Sequence, residues 1–175
     1  MTPYEFATPY EFAKERHGSQ MYGELSYVEG HLAKVVAKLQ KSGFTSAEMK
    51  AAGWLHDVVE DTETPIEEIE ARFGKKIAEL VWAVTCEKSV GKTRRERLPH
   101  TYRKIQGAGL EATALKLADR IQNVESCWDA RDSRLFMYQK EYREFRLALF
   151  SDEDGSEILA LWKELDQLLG WWEKK

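Results

Sequence analysis

The chain has 175 residues, of which 43% are hydrophobic and 32% are charged, a composition typical of a folded helical protein and too apolar for a disordered one. No apolar run approaches the ~18 residues that a membrane span needs, and the N-terminus lacks the basic and apolar regions of a secretory signal. The formal net charge is −4, with 26 basic and 30 acidic residues mixed along the chain, so we expect neither nucleic acid nor a membrane as a partner.

Apolar residues recur at helical spacing throughout the chain, and strand-like alternation is short and rare, so the sequence predicts an all-α fold, a compact multi-helix bundle. Thr8-Pro9-Tyr10-Glu11 has the pattern of a capping box with proline at the first helical position, and similar patterns start at Thr45 and Thr64. Four glycines are expected to end helices or break the chain: Gly43, Gly74, Gly107 and Gly109. The predicted helices cover residues 9–18, 27–41, 46–58, 65–72, 75–86, 93–106, 111–128, 132–149 and 155–173.

We expect one domain over residues 8–175, because no linker rich in Pro, Gly or Ser interrupts it. The hexapeptide TPYEFA occurs at 2–7 and again at 8–13, so residues 1–7 are interpreted as a duplicated tail without an assigned function. Cys86 and Cys127 lack a C-x-x-C spacing, which argues against a zinc–thiolate site and favours two buried thiols in a cytoplasmic protein. A tryptophan pair, Trp171-Trp172, is compatible with core packing or with a self-association surface, so a homodimer stays open.

The segment 51–62 carries the clearest chemical signal, because an apolar helix there ends abruptly in the polar residues of His-Asp-x-x-Glu-Asp-Thr. Burying a histidine and several carboxylates costs on the order of several kcal/mol unless hydrogen bonds, counter-charges or a metal compensate. Neighbours on a helix point about 100° apart, so His56 and Asp57 reach one cation only from adjacent sides. Taken alone, the pair also fits a solvated helix cap or an ion pair.

His31 and Asp119, each on a strongly periodic helix, are the candidates for the remaining ligands. Two imidazoles and two carboxylates suit Mn²⁺, Fe²⁺, Co²⁺ or Zn²⁺ and leave coordination positions open, as a hydrolytic metal requires. Glu60 and Asp61 follow one helical turn after His56 and Asp57, which makes them candidates to accept or return a proton.

Three residues around Asp119 are candidate substrate contacts. Asn123 would present a neutral donor, and Lys116 and Arg120 are candidates for contacts to phosphate. For each of these two cations, a surface salt bridge is an equally good interpretation.

Together these motifs resemble the HD superfamily, and within it the hydrolase domain of the RelA/SpoT-type alarmone enzymes and their small stand-alone homologues. The resemblance runs from Phe12-Ala13 and His17-Gly18-Ser19-Gln20 to Leu117-Ala118-Asp119-Arg120-x-x-Asn123, and its string HDVVEDT at 56–62 is specific. It implies removal of the 3′-pyrophosphate from guanosine tetra- or pentaphosphate, a small-molecule nucleotide substrate. It also implies that Asn123 contacts the nucleotide, that Glu60 and Asp61 assist the attacking water, and that Mn²⁺ is bound by His31, His56, Asp57 and Asp119.

The chain departs from this family just after Gln20. Members that hydrolyse the alarmone usually carry Arg-Lys-Ser there, where base and ribose are gripped, and this chain has Met21-Tyr22-Gly23-Glu24-Leu25-Ser26. This stretch contains no cation and adds the negative charge of Glu24, while Tyr22 is a candidate to stack on a base. Two alternatives therefore stay open: an HD phosphohydrolase for other nucleotides or small phosphorylated metabolites, and a non-catalytic nucleotide-sensing or protein-binding module.

Overall fold

A computed structural model describes residues 8–170, and most of the regular structure in that range is helical. The α-helices are α1 (Pro9–His17), α2 (Ala33–Lys41), α3 (Ala47–Leu55), α4 (Val58–Asp61), α5 (Ile66–Phe73), α6 (Lys75–Val84), α7 (Arg94–Ala108), α8 (Leu110–Ala130), α9 (Arg134–Leu149) and α10 (Ser156–Leu168). A π-helical turn, Val28–Leu32, runs directly into α2, and a 3₁₀ turn, Lys88–Val90, precedes α7. The all-α prediction is confirmed, with one small addition, an antiparallel hairpin of β1 (Met21–Tyr22) and β2 (Leu25–Ser26).

The predicted capping patterns have different outcomes at the three helix starts. Thr8 caps α1 through a complete capping box, in which its hydroxyl accepts the Glu11 N–H at 3.2 Å and Glu11 accepts the Thr8 N–H at 2.8 Å. At α3 the cap is Ser46, one residue later than the pattern suggested, and its hydroxyl accepts the Met49 N–H at 3.1 Å. The prediction for Thr64 is wrong, because its hydroxyl bonds that of Thr62 at 2.8 Å instead of capping α5.

The helix ends also refine the predicted boundaries. Gly74 and Gly109 end α5 and α7 with φ angles of 91° and 88°, a left-handed conformation that glycine adopts without steric cost. Gly107, by contrast, lies inside α7 and does not break it. The predicted helix 46–58 is interrupted, since α3 ends at Leu55 and a separate single-turn helix begins at Val58.

The buried apolar side chains form two clusters that meet at the polar residues of interest. The larger surrounds α8 and includes Leu115 and Ala118, both fully buried. The smaller joins α1, the π turn, α3 and α5 and includes Leu32 and Leu55. Because Leu32 and Leu55 directly adjoin two of the predicted ligands and Ala118 adjoins a third, the candidate site lies where the two clusters meet.

Other predictions concern the chain as a whole. Both cysteines are buried and unpaired, as expected. No helix of residues 8–170 is long and apolar enough to cross a membrane. The tail 1–7 and the Trp171–Trp172 pair lie outside the described residues.

Candidate metal centre

Two histidines and two aspartates from three separate parts of the chain converge at one buried point. His31 Nε2 lies 3.2 Å from His56 Nε2, 3.2 Å from Asp57 Oδ2 and 3.4 Å from Asp119 Oδ1. His56 Nε2 lies 3.0 Å from Asp57 Oδ2 and 3.8 Å from Asp119 Oδ1. One donor atom of each residue is within 4.8 Å of all the others, so the structure brings the four predicted ligands together.

The donor atoms have spacings that suit a single divalent ion. Two ligands that each lie about 2.1 Å from one ion are about 3.0 Å apart at a right angle and about 3.4 Å apart at a tetrahedral angle. The five separations given above, 3.0 to 3.8 Å, begin at the right-angle value and extend just beyond the tetrahedral one. The Nδ1–H of His56 also donates to the Gly53 carbonyl at 2.9 Å, which leaves Nε2 with the lone pair that a metal needs. Both the chemistry and the spacing of the donors therefore fit a divalent metal.

Two local irregularities of the backbone place these donors. His31 lies in the π-helical turn, a rare geometry that is frequent at functional sites. Within that turn Gly30 is required, because a Cβ there would lie only 2.9 Å from the Tyr22 carbonyl oxygen of the packed hairpin. At the end of α3, Asp57 has φ −100° and ψ −7°, which breaks the predicted continuous helix. The break lets His56 and Asp57 aim their donor atoms at one point.

Two further side chains contact the aspartates of the cluster and fix their orientation. The Tyr27 hydroxyl donates to Asp57 Oδ2 at 2.7 Å, and Lys116 Nζ lies 2.9 Å from Asp119 Oδ2. Tyr27 was not identified from the sequence, although its position four residues before His31 places the two about one helical turn apart. Such partners fix the orientation of ligating side chains.

The charges of the four residues explain why the point attracts a cation. Burial alone would raise the pKa of Asp119, but the Lys116 ammonium and the two imidazoles hold it well below its usual range. Burial likewise opposes protonation of His56, yet the charges of Asp57 and Asp119 raise its pKa to about 10. The negative charge of Asp57 and Asp119 therefore favours a positive charge at this point, and a divalent ion held by the four residues would supply it.

The two predicted proton-transfer residues have different surroundings. Glu60 is partly buried, its Oε2 accepts the Cys86 N–H at 2.9 Å, and burial raises its pKa against the opposing charge of Lys116. Asp61 is exposed and borders a polar cavity, where its Oδ2 lies 3.5 Å from Gln20 Nε2. Burial therefore makes the Glu60 carboxylate a better proton acceptor than an exposed glutamate.

Of the three predicted substrate contacts on α8, two adjoin the cluster and one does not. Lys116 and Asn123 both contact Asp119, the latter through Nδ2 at 2.6 Å from Oδ1. Arg120 is 1% exposed, its guanidinium lies over the Tyr138 ring, and it bonds Glu141 of α9 at 3.1 Å. The structure therefore places Arg120 in the core between α8 and α9, where a buried ion pair accounts for its charge.

Tyr22, the fourth predicted contact, packs directly onto the cluster. Its ring stacks on the His31 imidazole with centroids 5.0 Å apart and planes inclined at 25°, and its hydroxyl donates to Asn123 Oδ1 at 3.0 Å. The hairpin of β1 and β2 is thus part of the wall of the site.

Several known proteins are similar to this chain in sequence. The model of the HD domain family matches residues 9–147. The guanosine-3′,5′-bis(diphosphate) 3′-pyrophosphohydrolase of Aquifex aeolicus is 35% identical over 173 residues, 95% of this chain and 23% of the relative. The guanosine-3′,5′-bis(diphosphate) 3′-pyrophosphohydrolase MESH1 of Danio rerio is 36% identical over 122 residues, 65% of this chain and 63% of the relative. The chain therefore spans less than two thirds of either relative.

Two solved structures share the fold. A crystal structure of a Listeria monocytogenes protein has a TM-score of 0.70 and 30% sequence identity, and the match covers 83% of this chain and 94% of that one. A metazoan ortholog of SpoT, described as hydrolysing ppGpp, has a TM-score of 0.71 at 24% identity, with 95% and 97% covered. The sequence resemblance is confirmed by the family match, and at this identity the second structure supports the fold alone.

Proposed function

We propose that this chain, which belongs to the HD domain family, is a divalent-metal phosphohydrolase that removes the 3′-pyrophosphate from guanosine 3′,5′-bis(diphosphate). The observation that carries the proposal is the buried convergence of His31, His56, Asp57 and Asp119 beside Glu60. The names of the relatives in Aquifex aeolicus and Danio rerio support the choice of substrate.

The metal would be held by the four converging side chains, and Mn²⁺ is the ion to test first because the family resemblance implies it. A divalent ion there supplies Lewis-acid chemistry, which acidifies water and neutralises charge that develops on a phosphoryl oxygen. Two imidazole and two carboxylate donors also accept Fe²⁺, Co²⁺ or Zn²⁺.

Glu60 is the residue that we assign to proton transfer. Its Oε2 is engaged by the Cys86 N–H, so Oε1 is the atom that takes the proton from the attacking water. The water oxygen bonds to the phosphorus that carries the 3′-oxygen, and the bond between that phosphorus and the 3′-oxygen breaks. Glu60 then returns the proton to the 3′-oxygen, and the products are pyrophosphate and guanosine 5′-diphosphate.

The other residues of the site have supporting roles in this proposal. Lys116 holds Asp119 Oδ2, and Tyr27 holds Asp57 Oδ2, so each carboxylate keeps its orientation while the substrate exchanges for product. Asp61, on the exposed side of α4, is the second candidate for passing the proton to solvent.

The test is pyrophosphate release from guanosine 3′,5′-bis(diphosphate) by the purified protein with Mn²⁺. Asp57→Ala is expected to abolish release, because it removes a ligand and leaves His56 without its closest charge partner. Asp129→Ala is the matched control, since Asp129 is an exposed aspartate at the end of α8. Undiminished release in excess chelator, or from the Asp57 variant, would refute the proposal.

A second candidate substrate class is favoured by one observation on the hairpin. Residues 21–26 carry no cation, and Glu24 is exposed at the turn, so an approaching anionic nucleotide meets a negative charge there. A less highly charged nucleotide or a small phosphorylated metabolite meets less repulsion. Parallel measurements of phosphate and pyrophosphate release from a panel of nucleotides distinguish the two candidates.

A further inference from the structure

The hairpin residue Tyr22 is linked to two of the four clustered residues, to His31 directly and to Asp119 through Asn123. Its ring stacks on the His31 imidazole, and its hydroxyl reaches Asn123, which in turn contacts Asp119. The Tyr22 backbone packs closely against the π turn, where a Cβ on Gly30 would lie only 2.9 Å from the Tyr22 carbonyl oxygen. This packing, the ring stacking and the hydrogen bond to Asn123 together fix the position of the Tyr22 side chain.

The hydrogen bonds between these residues have only one consistent direction. An ionised carboxylate accepts and does not donate, so Asn123 must turn its amide nitrogen toward Asp119, where Nδ2 lies 2.6 Å from Oδ1 and 3.1 Å from the main-chain oxygen. Its amide oxygen then faces Tyr22, whose hydroxyl must be the donor at 3.0 Å. The order of donation is Tyr22 to Asn123 to Asp119.

This chain of bonds ends on the carboxylate oxygen that faces the cluster. Asp119 Oδ1 is the atom 3.4 Å from His31 Nε2, whereas Oδ2 is held separately by Lys116 at 2.9 Å. The carboxylate is thus fixed at both oxygens, and Asn123 with Tyr22 fixes the one that a metal would contact.

We infer that Tyr22 is a positioning residue of the metal centre, acting on Asp119 through Asn123 and on His31 through ring stacking. The inference rests on the proposed function, because it assigns these contacts to a bound divalent ion. It gives the hairpin at residues 21–26 a role in metal affinity, and it gives Asn123 a role in orienting a ligand as well as any contact with the nucleotide.

The competing role for Tyr22 is a direct contact with the substrate, as a stacking partner for a base. The two roles predict different measurements. A substrate contact changes the KM for the nucleotide and leaves the Kd for metal unchanged, whereas a positioning residue changes the Kd for metal in the absence of any nucleotide.

The experiment is calorimetric titration of Mn²⁺ into the nucleotide-free protein and its variants Tyr22→Phe, Asn123→Leu and the double variant. Tyr22→Phe keeps the ring and removes the hydroxyl, so we expect a Kd for Mn²⁺ weaker by about 10-fold. Asn123→Leu is expected to weaken it by at least as much. Because the hydroxyl acts through Asn123, the double variant should be no weaker than Asn123→Leu alone.

Tyr102→Phe is the matched control. Tyr102 is 5% exposed, and among residues 8–170 its buried hydroxyl has no hydrogen-bond partner, so its loss should leave the Kd for Mn²⁺ unchanged. A wild-type Kd in Tyr22→Phe, or losses that add in the double variant, would overturn the positioning role. If the unsubstituted protein binds none of Mn²⁺, Fe²⁺, Co²⁺ and Zn²⁺, the proposed function fails and this inference fails with it.

Discussion

Replacing Gly53 by alanine tests the packing that places His56. Gly53 lies in α3, three residues before His56, and its carbonyl accepts the His56 Nδ1–H at 2.9 Å. A Cβ at position 53 would lie 2.8 Å from Val36 Cγ2 and 3.2 Å from Leu39 Cδ1 of α2. Both neighbours are buried, so α2 and α3 must separate by several tenths of an ångström to admit the methyl group.

The size of the destabilisation expected for Gly53→Ala follows from comparison with a second helical glycine. Gly107 lies within α7, and no atom approaches within 4 Å of a Cβ built there. Alanine gains roughly 0.5–1 kcal/mol over glycine in a helix at either position, so this term cancels in the difference between the two variants. The remaining difference in free energy of unfolding between the two variants is the cost of overpacking at Gly53, about 1–3 kcal/mol. In a protein of this size it corresponds to a melting temperature about 2–12 °C lower for Gly53→Ala than for Gly107→Ala.

The assay is urea unfolding at 25 °C together with thermal melting, both on metal-free protein, followed by Mn²⁺ titration. We expect Gly107→Ala to melt above the unsubstituted protein and to bind Mn²⁺ unchanged. Gly53→Ala should melt lower and bind Mn²⁺ more weakly, because the shift of α3 moves the carbonyl that orients His56. Equal stability of the two alanine variants would refute the packing argument.

Three further predictions follow from the same contacts. Glu60→Gln retains the hydrogen bond from Cys86 and removes the proton acceptor, so kcat should fall about 10²- to 10⁴-fold while the Kd for Mn²⁺ stays unchanged. The control is Glu70→Gln, a change at an exposed glutamate that should keep full activity in the same assay. A fall in kcat of less than 3-fold for Glu60→Gln, about 0.7 kcal/mol, would exclude Glu60 as the base. Burial raises the pKa of Glu87, but Lys104 and His100 outweigh it and lower the pKa below its ordinary 4.5. The ionised Glu87 carboxylate therefore stabilises the fold above pH 4.5, and this stabilisation is lost as the pH falls through the folded pKa. In denaturant titrations the unsubstituted protein should exceed Glu87→Gln in free energy of unfolding by on the order of 1 kcal/mol at pH 7, and the difference should shrink with acidification. A difference that widens with acidification would contradict the pairing of Glu87 with Lys104 and His100. Mn²⁺ at 100 times its Kd should stabilise the protein by about 2.7 kcal/mol, which raises the melting temperature by about 5–11 °C. A similar rise in the Asp57→Ala variant would show that the ion binds at another site.

The candidate site was predictable from the sequence to a large extent because its residues stand in unusual local contexts. His56, Asp57 and Glu60 end an apolar helix, and Asp119 interrupts the apolar pattern of α8, so each is conspicuous without knowledge of its partners. The roles of these residues remain proposals, but their convergence within 4.8 Å is what the pattern required of the fold.

The supporting residues were harder to predict, because spacing along a helix does not say what a side chain meets. Lys116 and Arg120 are four residues apart on α8 and looked equivalent as phosphate contacts. In the structure Lys116 pairs with Asp119, whereas Arg120 is buried against Tyr138 and Glu141 of α9. The sequence around α8 contains no signal of which cation α9 covers.

The sequence by itself determined the helical class, most helix boundaries and the residues of the candidate cluster, because periodicity, caps and buried polar groups are properties of short segments. Tertiary structure decided the break between α3 and α4, the π turn at His31 and the docking of the hairpin that carries Tyr22. The helix break, the π turn and the docked hairpin bring together groups that are far apart in the chain. Tyr22 and Asn123, for example, are 101 residues apart. Only the packed chain can compensate the cost of such departures from ideal geometry, and segment-by-segment reasoning therefore did not predict them.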